Sequence, residues 1–305
     1  MIGFLNIYKP SGMTSNAVVQ KVKKKFGLKK IGHMGTLDPM ACGLLPLGVG
    51  KATRLFDYML SKTKSYRVIF DFGYETDTLD ITGKITNSQI DIVSSQDVIN
   101  EEFYNKINFS SFEISEKLIK SKLNQLVGKI SQVPPKFSAK NVSGERAYNL
   151  ARAGIEFELK PKEIEIYKLI LTKKISKFRY EFEVSCSSGT YIRAIGRDLA
   201  KLLGTYATMS FLERFDLGLF NMDNSIKLED LLNGNLNDFM LSPLQVLKDY
   251  DIINIDKETY HDLINGKFVK SEKINKNTFV LYNGEILGIA KPRENQLKLD
   301  TFLKE

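Results

Sequence analysis

The sequence predicts an α+β fold: long alternating strands with amphipathic helices set against them, followed by a small β unit. Three observations carry this. Phe178 to Cys186 alternates strictly between apolar and polar residues, and in Tyr66 to Phe72 the residues Tyr66, Val68, Phe70 and Phe72 share one face, with Arg67 and Asp71 on the other. Helical spacing appears after Thr14, after Ser115 and after Thr190. In the tail, Asn283-Gly284 sits between two apolar runs, Thr278 to Tyr282 and Glu285 to Ala290, a type I′ hairpin signal.

Taken in order, Gly3 to Pro10 reads as a short strand that stops at Lys9-Pro10. Thr14 or Ser15 caps a helix with Val18, Val19, Val22 and Phe26 on one face and Gly27 as its stop. Its other face and tail carry Lys21, Lys23, Lys24, Lys25, Lys29 and Lys30, a solvated face or a phosphate-contacting patch. The stretch 32–50 is apolar but is broken by five glycines and two prolines. It reads as a packed loop, too interrupted for a long central strand. Lys51 to Leu60 reads as helical.

Beyond the 66–72 strand, Gly73 to Gly83 reads as a polar loop. Its acids Glu75, Asp77 and Asp80 lack the spacing of a calcium loop. Residues 84–113, rich in Asn, Ser, Asp and Gln, read as a surface insertion. Ser115 to Val127 is a helix with Leu118, Ile119, Leu123, Leu126 and Val127 inward. The segment 132–154 is extended and proline-rich, then helical, with Arg146, Tyr148 and Arg152 interleaving cations and a ring in the manner of RNA-binding segments; a plain connector fits as well. Strands over Ile164 to Lys173 and Phe211 to Phe215 complete the sheet, and Leu228 to Val246 is linker-like with a short helix. The expected domains are 1–245 and 250–305.

The totals narrow the function. Lys and Arg number 44 against 36 Asp and Glu, giving +8, which suits a polyanionic partner. Two cysteines and two histidines without metal-ligand spacing argue against zinc. No apolar run approaches a membrane span, and the first residues lack a signal-peptide pattern, so a reducing cytoplasm is the expected compartment.

Asp38 is the lone acid of the 32–50 stretch, and Pro39 pushes its backbone toward the extended region. Judged alone it reads more readily as a turn residue than as a catalytic carboxylate. Tyr66 alone reads as a core-edge tyrosine, and Arg193 as a surface helix arginine, although its place early in a helix suits pairing with a carboxylate.

The ordered set of motifs decides between these readings. Gly32-His33-x-Gly35-Thr36-Leu37-Asp38-Pro39-x-Ala41-x-Gly43-x-Leu45-Pro46, Lys64-x-Tyr66, Thr76-Asp77-Thr78-x-Asp80-x-x-Gly83 and Gln132-Val133-Pro134-Pro135 come first. Phe137-Ser138-Ala139-Lys140, Gly144-Glu145-Arg146-Ala147-Tyr148, Ala151-Arg152-x-Gly154, Cys186-Ser187-x-Gly189-Thr190-Tyr191-Ile192-Arg193 and Leu212-x-Arg214 come after them. Together they resemble the bacterial tRNA pseudouridine-55 synthases of the TruB type. The resemblance implies a mixed, mostly antiparallel pseudouridine-synthase sheet with flanking helices, and a small C-terminal PUA-like β domain. It implies isomerisation of uridine 55 in the tRNA T-loop by base flipping, with no metal and no organic cofactor. By position, Asp38 matches the nucleophile or electrostatic partner, Arg193 the residue that orients it, and Tyr66 the ring that stacks on the base and relays the C5 proton. His33 matches a loop-holding position, Tyr191 and Leu212 match pocket positions, and 132–154 matches an RNA-gripping segment that closes on the T-arm. The implied partner is the tRNA T-arm stem-loop, bound by a monomer without guide RNA. A pure RNA-binding chaperone and a methyltransferase are the rivals. The latter lacks a G-x-G-x-x-G loop, because Gly35, Gly43, Gly48 and Gly50 miss that spacing.

Overall fold

A computed structural model describes residues 1–59, 63–90, 99–100, 103–104 and 112–304. Most of the polar insertion expected at 84–113 lies outside the described residues, as does Leu60 at the end of the expected 51–60 helix. The chain forms two compact units. The first comprises Met1–Asp38, Leu44–Leu60 and Leu219–Glu305; the second comprises Pro39–Gly43 and Ser61–Gly218.

In the first unit, β1 (Gly3–Lys9) leads into α1 (Ser15–Phe26). Thr14 caps α1 by accepting from the Ala17 N–H, and Gly27 ends it in the left-handed region at φ 61°. The six lysines are all exposed, while Val18, Val19 and Val22 are buried. β2 (Ile31–His33) and β3 (Cys42–Val49) come next. Here the expectation of a loop fails, because every residue of β3 is buried and the strand is continuous through Pro46. The reason is local. The antiparallel β2–β3 ladder runs from Ile31↔Val49 to His33↔Leu47 and stops one residue short of Pro46, so no ladder bond with β2 is asked of the missing N–H. The Pro46 carbonyl still accepts from Met34 N–H at 2.9 Å. Gly48 admits Phe56, whose ring would lie 2.9 Å from an added Cβ. Gly50–Tyr58 is a 3₁₀ helix.

The second unit is built on an antiparallel sheet. Its chain order is β4 (Lys64–Phe72), β5 (Tyr74–Thr76), β6 (Ile85–Ser88), α2 (Glu116–Leu123), β7 (Gly128–Gln132), β8 (Asn141–Val142), β9 (Glu145–Arg146), α3 (Ala147–Arg152), β10 (Lys162–Lys174), β11 (Arg179–Cys186), α4 (Ile192–Leu203) and β12 (Ala207–Leu217). The sheet order is β12-β4-β11-β10-β7. β11 keeps the burial alternation its sequence predicts. α4 lies on the face that presents Phe70, because a Cβ at Gly196 would meet the Phe70 ring at 2.6 Å. At the start of β3, Cys42 and Gly43 pair in parallel with Glu213 and Arg214 of β12. Gly43 sits at φ +101°, and an added Cβ would overlap the Arg214 backbone. Gly43→Ala is therefore expected to cost about 3 kcal/mol or more, read as a lowered urea midpoint.

Three further expectations need correction in this unit. The expected 73–83 loop opens with a strand, since Tyr74–Thr76 pairs with β6 beyond it, while 77–83 is the turn between them, closed by Thr76 and Thr78 hydroxyls donating to the Asp80 carbonyl. Leu118 and Val127 are exposed rather than inward: the helix buries Ile119 and Leu123 and leaves Leu118 outside, and after it ends at Leu123 a 3₁₀ turn, Asn124–Leu126, re-aims the chain at Val127. Asp71, expected on a polar face, is fully buried. Its Oδ1 accepts from Arg179 Nε (3.1 Å) and Ser210 Oγ (2.6 Å), and its Oδ2 from the Tyr74 (3.1 Å) and Tyr104 (2.5 Å) hydroxyls. Burial holds this carboxyl above its usual range, although Arg179 and the three hydroxyls oppose it.

The chain then returns to the first unit through β13 (Phe220–Asn221) and β14 (Ile226–Lys227), which runs parallel to β1. The stretch read as linker-like with one short helix holds three: α5 (Leu228–Asn233), α6 (Leu236–Phe239) and α7 (Pro243–Val246). Leu228, Leu231 and Leu236 enter a core with Leu5, Ile7, Val18, Leu45 and Leu47. α7 is closed by a capping box between Ser242 and Gln245. The tail has its own core around Val280, Leu287 and Leu297 and a sheet of β15 (Asp251–Asn254), β17 (Thr278–Tyr282), β18 (Glu285–Ala290) and β20 (Leu299–Phe302), with α8 (Lys257–Ile264), β16 (Val269–Lys270) and β19 (Gln296–Leu297) beside it. Asn283 and Gly284 both take positive φ, 51° and 78°, as a type I′ turn requires.

Candidate active site

In the second unit, register brings two of the candidate site residues, Tyr66 and Leu212, to one sheet face. Tyr66 of β4 stands opposite Arg214 of β12, and Val68 stands opposite Leu212, so Tyr66 and Leu212 are diagonal neighbours. Both are buried, at 6% and 4% exposure. That face also carries Phe70, against which α4 packs. Arg193 lies in the first turn of α4 and is 7% exposed, so the reading of a surface helix arginine fails.

The Arg193 guanidinium donates to the Thr78 carbonyl at 2.8 Å and the Phe137 carbonyl at 3.1 Å, and its Nη1 lies 3.5 Å from Asp80 Oδ2. Asp80 is itself held, since its Oδ1 accepts from Thr78 Oγ1 and from the N–H and hydroxyl of Thr82. A planar fork can serve several acceptors at once, which a lysine cannot. In the sequence Asp80 stands out as one of three acids in a polar loop and as a motif position with no role attached. Its role beside Arg193 becomes visible once the β5–β6 hairpin folds back.

Tyr191 is the N-cap of α4, and its backbone is clamped by Gln132. The Gln132 amide donates to the Tyr191 carbonyl (3.2 Å) and its oxygen accepts from the Tyr191 N–H (2.9 Å). Arg197 donates to the Val133 carbonyl at 2.9 Å. Gln132, Val133 and Phe137 therefore tie the base of the 132–154 segment to the helix that carries Arg193. A groove of about 420 Å³ opens there, lined in part by Leu79, Pro134, Phe137 and Arg197. The sequence offers Gln132 only as part of a motif; its burial is what marks it as a clamp.

In the first unit, His33 ends β2 opposite Leu47, and Asp38 lies beyond it in an irregular stretch, half-buried. Leu37, next to Asp38, is gripped by one side chain: Ser15 Oγ donates to the Leu37 carbonyl (3.0 Å) and accepts from its N–H (2.9 Å), both within buried surroundings. Ser15 is thus no cap; it is a tether from the first residue of α1 to the residue preceding Asp38. Ser15→Ala is expected to cost about 1–3 kcal/mol in urea unfolding, by stranding two buried backbone groups, and to lower turnover. Thr14→Ala, which removes only the cap, is expected to cost about 1 kcal/mol and to leave turnover unchanged.

Among the described residues, no group of three or more His, Cys, Asp or Glu could hold a metal ion, and no helix is long and apolar enough to cross a membrane. Both cysteines, Cys42 and Cys186, are buried, and neither forms a disulfide.

The fold resembles that of a chain in the Cbf5-Nop10-Gar1 complex, with a TM-score of 0.68 at 20% identity over 99% of this chain and 85% of that one. A chain from an H/ACA RNP bound to a substrate RNA containing 2'-deoxyuridine gives a TM-score of 0.66 at 19% identity, over 99% of this chain and 85% of that one. By sequence, the chain is 39% identical to tRNA pseudouridine synthase B of Clostridium tetani over 90% of this chain and 88% of that protein. It is 36% identical to tRNA pseudouridine synthase B of Caldanaerobacter subterraneus over 94% of each. The profile of the TruB family pseudouridylate synthase (N terminal domain) matches residues 23–109 and 93–192. The mixed sheet with its flanking helices, together with these relatives, defines a pseudouridine synthase, an isomerase acting on RNA. The chain belongs to the TruB family, whose reaction converts uridine to pseudouridine.

Proposed function

We propose that this protein isomerises uridine 55 in the T-loop of tRNA. The observation that carries the reading is the face on which Tyr66 and Leu212 are diagonal neighbours, covered by the helix that holds Arg193. Its relatives' name supplies the RNA class.

The chemistry is balanced without a co-reactant. The N1–C1′ bond breaks, the base turns, and a C5–C1′ bond forms, while C5 loses a proton and N1 gains one. Asp38 serves as nucleophile or electrostatic partner at the reacting carbon. Arg193 orients and neutralises it. Tyr66 stacks on the flipped base, and its hydroxyl relays the C5 proton; Leu212 and Tyr191 border the pocket. His33 holds the opened loop. The 132–154 segment, with Arg146, Tyr148 and Arg152, grips the T-arm; Tyr148 is exposed, and the Arg152 guanidinium lies 5.8 Å from its ring centroid. The exposed lysines of α1 and its tail contact phosphates. The tail is the PUA-like domain of a monomer that works in the cytoplasm without guide RNA or cofactor.

The test is product analysis of an unmodified tRNA transcript incubated with the protein alone. Pseudouridine at position 55, formed with no methyl donor present, is the expected product. Binding without conversion would favour a chaperone, and methylated uridine formed only with a methyl donor would favour the methyltransferase.

A further inference from the structure

The face that carries Tyr66 also collects cations the mechanism above does not use. Lys64 lies two residues before Tyr66 in β4, so the two side chains leave the strand on the same side, about 7 Å apart along it. β12 presents Arg214 opposite Tyr66, and β11 presents Cys186 opposite Lys64. Lys64 Nζ donates to Ser188 Oγ at 3.3 Å. Lys162, the first residue of β10, reaches the same loop from its other side: a Cβ added to Gly189 would fall 2.5 Å from Lys162 Nζ. Gly189 itself takes φ +85°, so a side chain is disfavoured there twice over.

Cations from two strands, Lys64 of β4 and Lys162 of β10, thus converge on the 187–190 turn at the mouth of α4. Among the described residues, neither Lys64 nor Lys162 pairs with a carboxylate. The Lys64 ammonium is pushed down to about 8, first by burial and then by Arg214, with Lys162 adding to it and the Cys186 thiol working slightly the other way. That thiol supplies no countercharge at neutral pH, because burial pushes it up to about 11. Like charges gathered at a half-buried spot gain most from an anion with several acceptor oxygens. Lys162 is exposed and Lys64 half-buried, so the spot is open on one side.

We propose that Lys64, Lys162 and the Ser188 hydroxyl form a binding site for one backbone phosphodiester of the RNA substrate, flanking the base stacked on Tyr66. This rests on RNA being the substrate. The phosphate fixes the nucleotide's sugar end while Tyr66 holds its base, so the site contributes to binding more than to the bond-breaking step.

The test uses the full chain and an unmodified T-arm stem-loop, with affinity measured across a salt series. Lys64→Met is expected to weaken binding about tenfold and to reduce the salt slope by about 0.7, one counterion for single-stranded RNA. Lys162→Met, at an exposed position that leaves folding untouched, is expected to act in the same direction. Methylphosphonates placed singly around the target uridine should include one position that weakens wild-type binding equally and adds no further loss in Lys64→Met. Additive losses at every position overturn the proposal, as do wild-type salt slopes in both lysine variants. A wild-type thermal midpoint raised by inorganic phosphate, with no such rise in Lys64→Met and with methylphosphonates additive, assigns a free-phosphate site and also overturns it. Failure of the wild type to bind the stem-loop at all removes the underlying RNA reading, which the lysine variants cannot do.

Discussion

Asp38→Ala is expected to abolish turnover, by about 10⁴-fold or more, while tRNA affinity stays within a few-fold of wild type. The reasoning starts from position. Asp38 comes directly after Leu37, whose backbone is fastened on both sides by Ser15, and precedes Pro39, which keeps it out of the helical region. The carboxylate is thus set on a fixed piece of main chain rather than on a free loop. Removing it takes away the group proposed to meet the reacting carbon but leaves the exposed lysines and the 132–154 segment, which are proposed to supply affinity. Single-turnover assays and filter binding on the same preparation check both halves. Residual turnover within tenfold of wild type would count against Asp38 as the reacting group.

Arg193→Lys is the second large effect. Arg193 serves the Thr78 and Phe137 carbonyls and lies 3.5 Å from Asp80, all from one buried guanidinium. Lysine keeps the charge but lacks the fork, so at least one acceptor loses its donor, at about 1–3 kcal/mol. The same change displaces the charge proposed to orient Asp38. Turnover is expected to fall about 10²-fold or more with a lowered melting temperature, and Asp80→Asn is expected to share the stability loss. A variant with the wild-type melting temperature and turnover would show that the three acceptors do not depend on the fork.

Much of the fold is legible in the sequence, for identifiable reasons. The strands Lys64–Phe72 and Arg179–Cys186 are half-buried, so their alternation survives in the residue order. α1 and the Asn283-Gly284 turn announce themselves through side chains that act on their own backbone. β3 does not, because its glycines and Pro46 break every local rule for a strand. They are tolerated because Gly43 meets the Arg214 backbone, Gly48 meets Phe56, and the β2 ladder stops before Pro46. Asp71 misleads for a related reason: alternation assigns a face, but not whether that face is covered, and here Tyr104 and Arg179 cover it. The short helices between Leu228 and Val246 are too brief for a period to emerge. At the site, motifs single out Tyr66, Leu212 and Arg193; Asp80 and Gln132 also lie in motifs, but the contacts they make, like that of Ser15, are tertiary and no local pattern encodes them.

Tritium release from tRNA transcript carrying 5-tritiated uridine bears most closely on the proposed reaction, because isomerisation at C5 is the step that frees that hydrogen. Wild-type protein is expected to release one equivalent per tRNA, from position 55, and Asp38→Ala none. Equal release by the two proteins, or none by the wild type on tRNA it binds, would overturn an Asp38-dependent isomerisation.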